Sequence, residues 1–230
     1  MYLKYITKFS IMPKICLNMI VKNESKIIKR LLETVLPLID TYCICDTGST
    51  DNTIDIIQSF FVDVNMAGKI VKEPFQNFEY NRNYALKECY GMKNADYILL
   101  LDADMTLCIP NTNSIYDFKK SMCKDAYYLL QGNSNIQYQN LRIVKNTGKF
   151  SYWGVTHEYI QTPDNTTIYR IPKVLMYIND IGDGGAKADK FIRDIRLLKD
   201  GLVQYPDNDR YTFYLANSYK DSHQYENAIE

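Results

Sequence analysis

The chain has 230 residues, of which 46% are hydrophobic, and its 27 basic and 27 acidic residues give no formal net charge at pH 7. This length can bury a substantial core, enough for one domain with an appended segment. The charge balance argues against a general nucleic-acid-binding protein, which needs a basic surface to displace counterions from phosphates. No apolar run approaches the roughly 18 residues of a transmembrane segment, and we therefore expect a soluble protein.

The cysteines point to a reducing compartment. None has the paired spacing that is typical of a metal site, and most lie in apolar segments, as free thiols do. They are Cys16, Cys43, Cys45, Cys89, Cys108 and Cys123. The composition thus predicts a cytoplasmic protein.

The N-terminal part of the chain alternates short apolar runs with helical patterns. A strand is predicted over residues 15–21, followed by a helix with apolar positions between residues 27 and 35. A second strand over 41–45 leads to Ser49, which can cap a helix carrying apolar residues between 54 and 61. Each strand is therefore followed by a helix.

The same alternation continues up to an acidic pair. A strand is predicted over 69–72, a helix over 79–89 and a strand over 96–101, which ends at Asp102 and Asp104. This order predicts an α/β protein with a mostly parallel sheet and helices on both faces. Ligands bind such sheets beyond the carboxyl ends of the strands, so the two carboxylates could hold a metal; a capping or surface role is the alternative.

The pattern changes in the second part of the chain. Extended segments at 126–131 and 137–145 flank the turn residues 132–135, which predicts an antiparallel hairpin. Apolar residues then recur at helical spacing over 188–202, predicting a helix that ends near Gly201.

Several segments together resemble the family 2 glycosyltransferases with the GT-A fold, especially the branch that carries tetratricopeptide repeats. Residues 18–24, 46–53 and 102–104 each close a predicted strand, as the sugar-nucleotide segments of that family do. Residues 81–85 match an Ala-Arg-Asn-like stretch. Residues 153–158 match a Gly-x-Val-His-Glu stretch, with one additional residue here.

The resemblance implies a fold, a division into domains and a reaction. Residues 1–185 would form a Rossmann-like GT-A domain, with a mostly parallel central sheet and a smaller antiparallel part. Residues 186–230 would form a helical extension with a truncated tetratricopeptide-like repeat, whose spacing Leu215, Ala216 and Tyr219 match. The reaction would be a metal-dependent, inverting transfer of a sugar from a nucleotide sugar, with a UDP-sugar expected, to a protein or glycan acceptor.

The resemblance also implies a metal site. Asp104 would be the main ligand, Asp102 would share the metal or face the ribose, and His157 would add an imidazole. Oxygen ligands suit Mn²⁺ or Mg²⁺, and an imidazole favours Mn²⁺. Such a cation stabilises the charge on a departing diphosphate. For His157, a structural hydrogen bond is the alternative.

Four residues would belong to the donor site. Asp46 would accept hydrogen bonds from the base, Glu24 would approach the ribose, and Arg82 would lie near the phosphates, with Asn18 in the same strand-end segment as Glu24. Each has a structural alternative: a turn for Asp46, a favourable helix-dipole interaction for Glu24, and an ion pair with Glu79 for Arg82.

An inverting transfer needs a general base that deprotonates the acceptor. The resemblance implies Glu158, which follows Trp153 and Gly154, a pair suited to stacking on a sugar and to close approach. Asp180 and Asp183 are alternatives on a glycine-containing loop that could close over the donor.

Two other functions fit parts of the chain. Asp102–Thr106 matches the Asp-x-Asp-x-Thr of haloacid-dehalogenase-like phosphatases, in which the first Asp is a nucleophile, but the later Asp189 lies at the wrong distance from Asp183. The tail could instead belong to a non-catalytic, repeat-containing binding protein. The phosphatase alternative leaves residues 46–53 unexplained.

Overall fold

Alternating strands and helices begin at residue 15, as the sequence predicts. A computed structural model describes residues 12–184 and 190–229. The strands are β1 (Ile15–Val21), β2 (Thr41–Asp46), β3 (Gly68–Lys72), β4 (Tyr97–Leu100), β5 (Met105–Cys108), β6 (Ala126–Gly132), β7 (Gln137–Lys145), β8 (Ser151–Trp153), β9 (Tyr159–Gln161), β10 (Ile168–Arg170) and β11 (Tyr177–Asp180). The helices are α1 (Ile28–Val35), α2 (Thr53–Asp63), α3 (Phe78–Tyr90), α4 (Ser114–Ser121), α5 (Lys190–Gln204) and α6 (Asp209–Asp221).

The main sheet is mixed: among the described residues, five of its strand pairs are parallel and three are antiparallel, so parallel pairing predominates, as predicted. Its strand order is β3-β2-β1-β4-β7-β6-β11-β5, with β10 paired to β6, and β8 and β9 form a separate pair. The strands from β3 to β4 are parallel, but β7 is antiparallel to both β4 and β6. The predicted hairpin is confirmed and causes this change, since a short turn can join only antiparallel strands. Sequence patterns did not predict β5, α4 or β8 to β11.

Helices cover both faces of the sheet. Residues Ile15, Leu17, Met19 and Val21 of β1 belong to the core that faces α1, α2 and α4. The alternate residue Cys16 belongs to a second core with residues of α3. The period of two along β1 therefore divides its side chains between two helical layers.

The start of α2 differs from the prediction. Ser49 does not cap this helix; the first helical residue is Thr53, whose backbone N–H donates to Asp51 Oδ1 at 3.0 Å. Ser49 Oγ accepts instead from the backbone N–H of Asn23 at 3.0 Å. It therefore links the loops that follow β1 and β2.

Gly201 does not end α5, which continues to Gln204. It is buried, and a Cβ at this position would lie 2.8 Å from the ring of Tyr211 in α6. A glycine is needed here because the two helices approach closely, even though glycine weakens a helix interior.

The described C-terminal part contains α5 and α6 followed by turns up to residue 229. A tetratricopeptide unit needs a pair of helices over about 34 residues, and the predicted unit, starting at Tyr211, supplies only α6. The predicted tetratricopeptide-like repeat is therefore not supported. Over the two described ranges, no helix is both long and apolar enough to cross a membrane.

Asn18 has a structural position inside this fold. Its side chain is 3% exposed, and Nδ2 donates to the carbonyls of Cys43 and Ala85, both at 2.9 Å. The amide thus connects β1 to β2 and to α3.

Asn18→Ala is expected to lower the free energy of unfolding by about 1–3 kcal/mol, because buried hydrogen bonds are lost without replacement. Thermal denaturation followed by circular dichroism would measure this. Asn179→Ala, at an exposed strand position, is the control and should have little effect. Equal melting temperatures for the Asn18 variant and the wild type would contradict the structural role.

Candidate active site

A cleft of about 580 Å³ opens at the carboxyl ends of β1 and β4. It contains most of the residues predicted for the site, namely Glu24, Arg82, Asp102, Asp104, His157 and Glu158. Asp180, an alternative base, also lines it. Asn18, Asp46 and Asp183 are absent from its lining. The strand-end position agrees with the general location of ligand sites in α/β sheets.

Arg82 joins two of the predicted acids. Its side chain is 11% exposed; Nη2 donates to Asp102 Oδ1 at 2.6 Å, and Nε donates to Glu158 Oε1. Burial lowers the pKa of Arg82, but the charges of Asp102 and Glu158 outweigh it and hold that pKa well above its usual value. The predicted alternative of a pair with Glu79 is wrong, because Glu79 accepts from the backbone N–H of Gly154 at 2.7 Å.

Asp102 is compensated by a second arginine. Arg142 Nη1 lies 3.8 Å from Asp102 Oδ2, and its Nε donates to Gln131 Oε1 at 2.8 Å. Burial raises the pKa of Asp102, but Arg82 and Arg142 outweigh it, so this pKa lies below its usual value. Asp102 is therefore an ionised carboxylate whose charge is already neutralised by the protein.

Asp104 has the opposite environment. Burial and the negative charges of Asp102 and Asp180 raise its pKa. A hydrogen bond from the backbone of Gly184 offsets this rise in pKa only in part. Gly184 lies close to two carboxylates, since a Cβ on it would be 3.3 Å from Asp104 Oδ2 and 3.4 Å from Glu24 Oε1. Carboxylates that raise one another's pKa form a location that favours a cation.

Sequence analysis missed two buried polar residues beside these acids, Gln131 on β6 and Arg142 on β7. Gln131 is 1% exposed; it accepts from Asn140 Nδ2 at 3.1 Å, and its own Nε2 donates to Asp180 Oδ2 at 3.1 Å. The signal in the sequence was an arginine within the apolar run 141–144. Buried polar groups in strands require partners, and these ones connect Asp102 to Asp180.

His157 lies in the cleft with an aromatic neighbour. Its ring stacks on Tyr214 with centroids 4.0 Å apart, and burial lowers its pKa, which favours the neutral imidazole. Among the described residues, no group of three or more His, Cys, Asp or Glu side chains is placed to hold a metal ion. Asp102, Asp104 and His157 thus do not form a preassembled site, and metal binding by them stays a prediction.

Two further residues considered for the site, Asp46 and Asp183, make structural contacts. Asp46 accepts from the backbone N–H groups of Gly48 and Ser49 at 3.3 and 3.1 Å, which is the turn alternative. Asp183 forms a bidentate ion pair with Arg30, whose Nη1 and Nη2 donate to Oδ2 and Oδ1 at 2.8 and 2.7 Å. This pair lies outside the cleft lining.

Trp153, considered for stacking on a sugar, is absent from the cleft lining and packs against other aromatic rings of the protein. Its ring stacks on Tyr211 with centroids 5.2 Å apart and planes at 12°. The ring of Tyr159 also contacts Trp153, with the ring centroids 5.7 Å apart. Trp153 is therefore part of the packing between the β8–β9 pair and α6.

Comparison with protein families gives a match over residues 16–181 to the family described as "Glycosyl transferase family 2". The chain is 27% identical over 214 residues to the SPbeta prophage-derived glycosyltransferase SunS of Bacillus subtilis (strain 168), covering 89% of this chain and 49% of that protein. It is 30% identical over 127 residues to an uncharacterized glycosyltransferase of Rickettsia bellii (strain RML369-C), covering 55% of this chain and 40% of that protein. The chain thus spans about half the length, or less, of these relatives.

Among solved structures, the chain is similar to S. aureus TarS residues 1–349 in complex with UDP, with a TM-score of 0.53 and 14% identity, covering 89% of this chain and 70% of that one. The same part of TarS in complex with UDP-GlcNAc gives a TM-score of 0.53, 14% identity, and coverage of 89% and 71%. At this identity the likeness shows the fold. It confirms the GT-A-like α/β fold.

The ion pairs of Arg82 lead to a prediction about stability. Arg82→Met would leave Glu158 without its ion-pair partner and Asp102 with only the longer contact to Arg142, and we expect the free energy of unfolding to fall by about 3–5 kcal/mol. Arg30→Met removes the more exposed pair with Asp183 and should cost less than about 1 kcal/mol.

Because the folded-state pKa of Asp102 is depressed, the Arg82–Asp102 pair stabilises the fold above the ordinary Asp pKa of about 3.9 and ceases to do so as the pH falls through the depressed value. Urea denaturation at several pH values should show the deficit of the Arg82→Met variant shrinking below about pH 4. A deficit of the same size from pH 7 to pH 3 would refute the assignment of the loss to these carboxylates.

Proposed function

The chain belongs to glycosyl transferase family 2, and we propose that it transfers a sugar from a nucleotide sugar to an acceptor. The predicted enzyme class, a glycosyltransferase, is confirmed at the level of this family. The observation that carries the proposal is Asp104, an acid with a raised pKa in a cleft at the ends of parallel strands. A diphosphate with its cation would compensate the charge there.

A UDP-sugar is the proposed donor. TarS, which shares the fold, has been solved in complex with UDP and with UDP-GlcNAc. The cleft, at about 580 Å³, has the size of a small-molecule site. Glu24 and Thr47 line its end near β1 and β2 and are candidates for nucleotide contact, whereas Asp46 shapes the turn beside them.

A divalent cation fits this donor set. Mg²⁺ and similar ions are commonly held by one or two carboxylates together with substrate phosphates, so the lack of a three-residue cluster among the described residues agrees with such a site. Asp104 is the proposed ligand, because the two arginines already neutralise Asp102 and the ring of His157 stacks on Tyr214. When bound, Mn²⁺ or Mg²⁺ would act as a Lewis acid on the departing diphosphate.

Glu158 is the proposed general base. It lines the cleft, and Arg82 orients its carboxylate by donating to Oε1. The nucleophilic atom of the acceptor would attack the anomeric carbon while the bond to the diphosphate breaks and its electron pair leaves with the UDP. The acceptor proton would pass to Glu158, and this single displacement inverts the anomeric carbon. Asp180, also in the cleft, is the second candidate; Asp183 is held by Arg30 outside it.

The two alternative functions lose their basis. A phosphatase nucleophile at Asp102 would be blocked by Arg82 and Arg142, and the chain belongs to a glycosyltransferase family. A repeat-based scaffold would need more than the one helix that the predicted unit contributes within the described residues.

Asp104→Asn tests the donor and cation site. UDP with Mn²⁺ at about 100 times its dissociation constant should stabilise the wild type by about 2.7 kcal/mol, a shift in melting temperature of about 5–10 °C. The variant should show no shift that depends on Mn²⁺. Asp117→Asn, an exposed position on α4, should behave as the wild type. A full Mn²⁺-dependent shift in the Asp104 variant would remove Asp104 from the site.

Without ligand, the same variant should melt at a higher temperature than the wild type at pH 7. The folded-state pKa of Asp104 is raised, so its ionisation opposes folding above that value. The difference should therefore vanish below the ordinary Asp pKa of about 3.9.

Glu158→Gln separates binding from chemistry. Glutamine can still accept from Arg82 but cannot take a proton, so the rate of UDP release from a panel of UDP-sugars should fall at least about 100-fold, while the affinity for UDP changes little. Asp183→Asn is the comparison and should retain the wild-type rate. Equal losses of binding and turnover in the Glu158 variant would show a structural role instead of a base.

A further inference from the structure

The loop of residues 154–158, which carries the proposed base, has an unfavourable backbone. Gly154 has φ +113° and His157 has φ +50°, and a non-glycine residue is uncommon in this left-handed region. A Cβ on Gly154 would lie 3.3 Å from Glu158 Cα, so the loop turns back on itself. Such a conformation persists only when its surroundings hold it.

Helix α6 supplies much of this support. The hydroxyl of Tyr211 accepts from the backbone N–H of Val155 at 3.2 Å, and Arg210 Nη2 donates to the carbonyl of His157 at 2.6 Å. The ring of Tyr214 stacks on the ring of His157, with planes at 5°. One face of α6 therefore contacts the loop on both sides of its tightest turn.

The position of Arg210 indicates a positioning role. Its guanidinium lies over the rings of Tyr159 and Tyr214, at 5.1 and 4.9 Å from their centroids. Its Nε is buried and has no hydrogen-bond partner among the described residues. A buried donor without a partner opposes folding. The site therefore tolerates an unfavourable group in order to hold the carbonyl of His157.

Helix α5 fixes the same loop and the register of α6. Thr156 Oγ1 donates to Asp194 Oδ1 at 3.2 Å, and Asp194 is 1% exposed. The close approach at Gly201 seats the ring of Tyr211, which also stacks on Trp153. The loop is thus hydrogen-bonded to α6 at Val155 and His157 and to α5 at Thr156.

We infer that α6 is a positioning element of the active site, in which Arg210, Tyr211 and Tyr214 hold His157 and so set the position of Glu158. This inference rests on the proposed function, in which Glu158 is the base. Arg82 binds the carboxylate of Glu158 from α3, while α6 fixes the residue that precedes it in the chain. Loosening α6 should therefore misplace the base without changing the nucleotide end of the cleft.

The activity test uses the full chain with the panel of UDP-sugars as donors and water as acceptor. Arg210→Met and Tyr214→Ala should each lower kcat for UDP release at least 10-fold, with KM and the dissociation constant for UDP within about three-fold of the wild type. Arg210→Lys and Tyr214→Phe should recover most of the rate, because they keep a donor or the stacked ring. Lys220→Ala, which removes an exposed side chain from the last turn of the same helix, is the control.

A second readout does not depend on activity. The chain has two histidines, so NMR of labelled histidine, with His223→Gln for assignment, follows the titration of His157. Burial lowers its pKa in the wild type, and Arg210→Met and Tyr214→Ala should raise that pKa toward its ordinary value of about 6.5.

Each outcome has a distinct meaning. An unchanged His157 titration, or a wild-type kcat in Arg210→Met, would overturn the inference. Parallel loss of kcat and UDP affinity in Arg210→Met and Tyr214→Ala would also overturn it, because it indicates general destabilisation. Absence of UDP binding and turnover in the wild type would instead defeat the proposed function, and the His157 titration would still decide whether α6 holds the loop.

Discussion

The buried guanidinium of Arg82 is the interaction on which the site depends. It bonds Asp102, at the end of β4, and Glu158, on the β8–β9 loop, with two different nitrogens. Only an arginine offers donors in this fixed, planar arrangement; a lysine would present a single point charge. Removing three charged groups from water is costly, and the arrangement is tolerable because each carboxylate is hydrogen-bonded to the cation. It fixes two chain segments that are remote in sequence at one side of the cleft.

This pairing determines which acid is left to interact with a ligand. Arg82 and Arg142 compensate the charge of Asp102. The pKa of Asp104, in contrast, is raised by its burial and by the negative charges of Asp102 and Asp180. Gln131 holds Asp180 in that position through a hydrogen bond. The protein therefore brings several negative charges together at one point, at some cost to its own stability. Such a conflict between local stability and charge placement is typical of functional sites.

The extent to which sequence predicted the structure follows from the range of the interactions. Local periodicity identified β1, β2 and α3 because their apolar residues repeat with the period of a strand or a helix. It placed Asp102 and Asp104 at the end of β4, whereas Glu24, after β1, was identified only through the family resemblance. It failed where a distant residue decides the outcome: Gly201 looks like a helix end but makes room for Tyr211, and Trp153 looks like a sugar platform but packs on the same tyrosine. The partner of Arg82 could not be read from helix spacing for the same reason.

The C-terminal helices match part of the tetratricopeptide spacing only because they pack as helices, not because they form a repeat. The small and apolar positions at Leu215, Ala216 and Tyr219 recur with helical spacing, which any helix packed against a neighbour requires, so they do not distinguish a repeat from a single helical hairpin. The family match ends at residue 181, yet Asp194, Arg210 and Tyr211 bond the loop that carries Glu158. A backbone in the left-handed region at His157 is sustained by these contacts from outside the matched segment. The position of Glu158, the proposed base, is thus set jointly, by an ion pair within the family segment and by a helix that follows it.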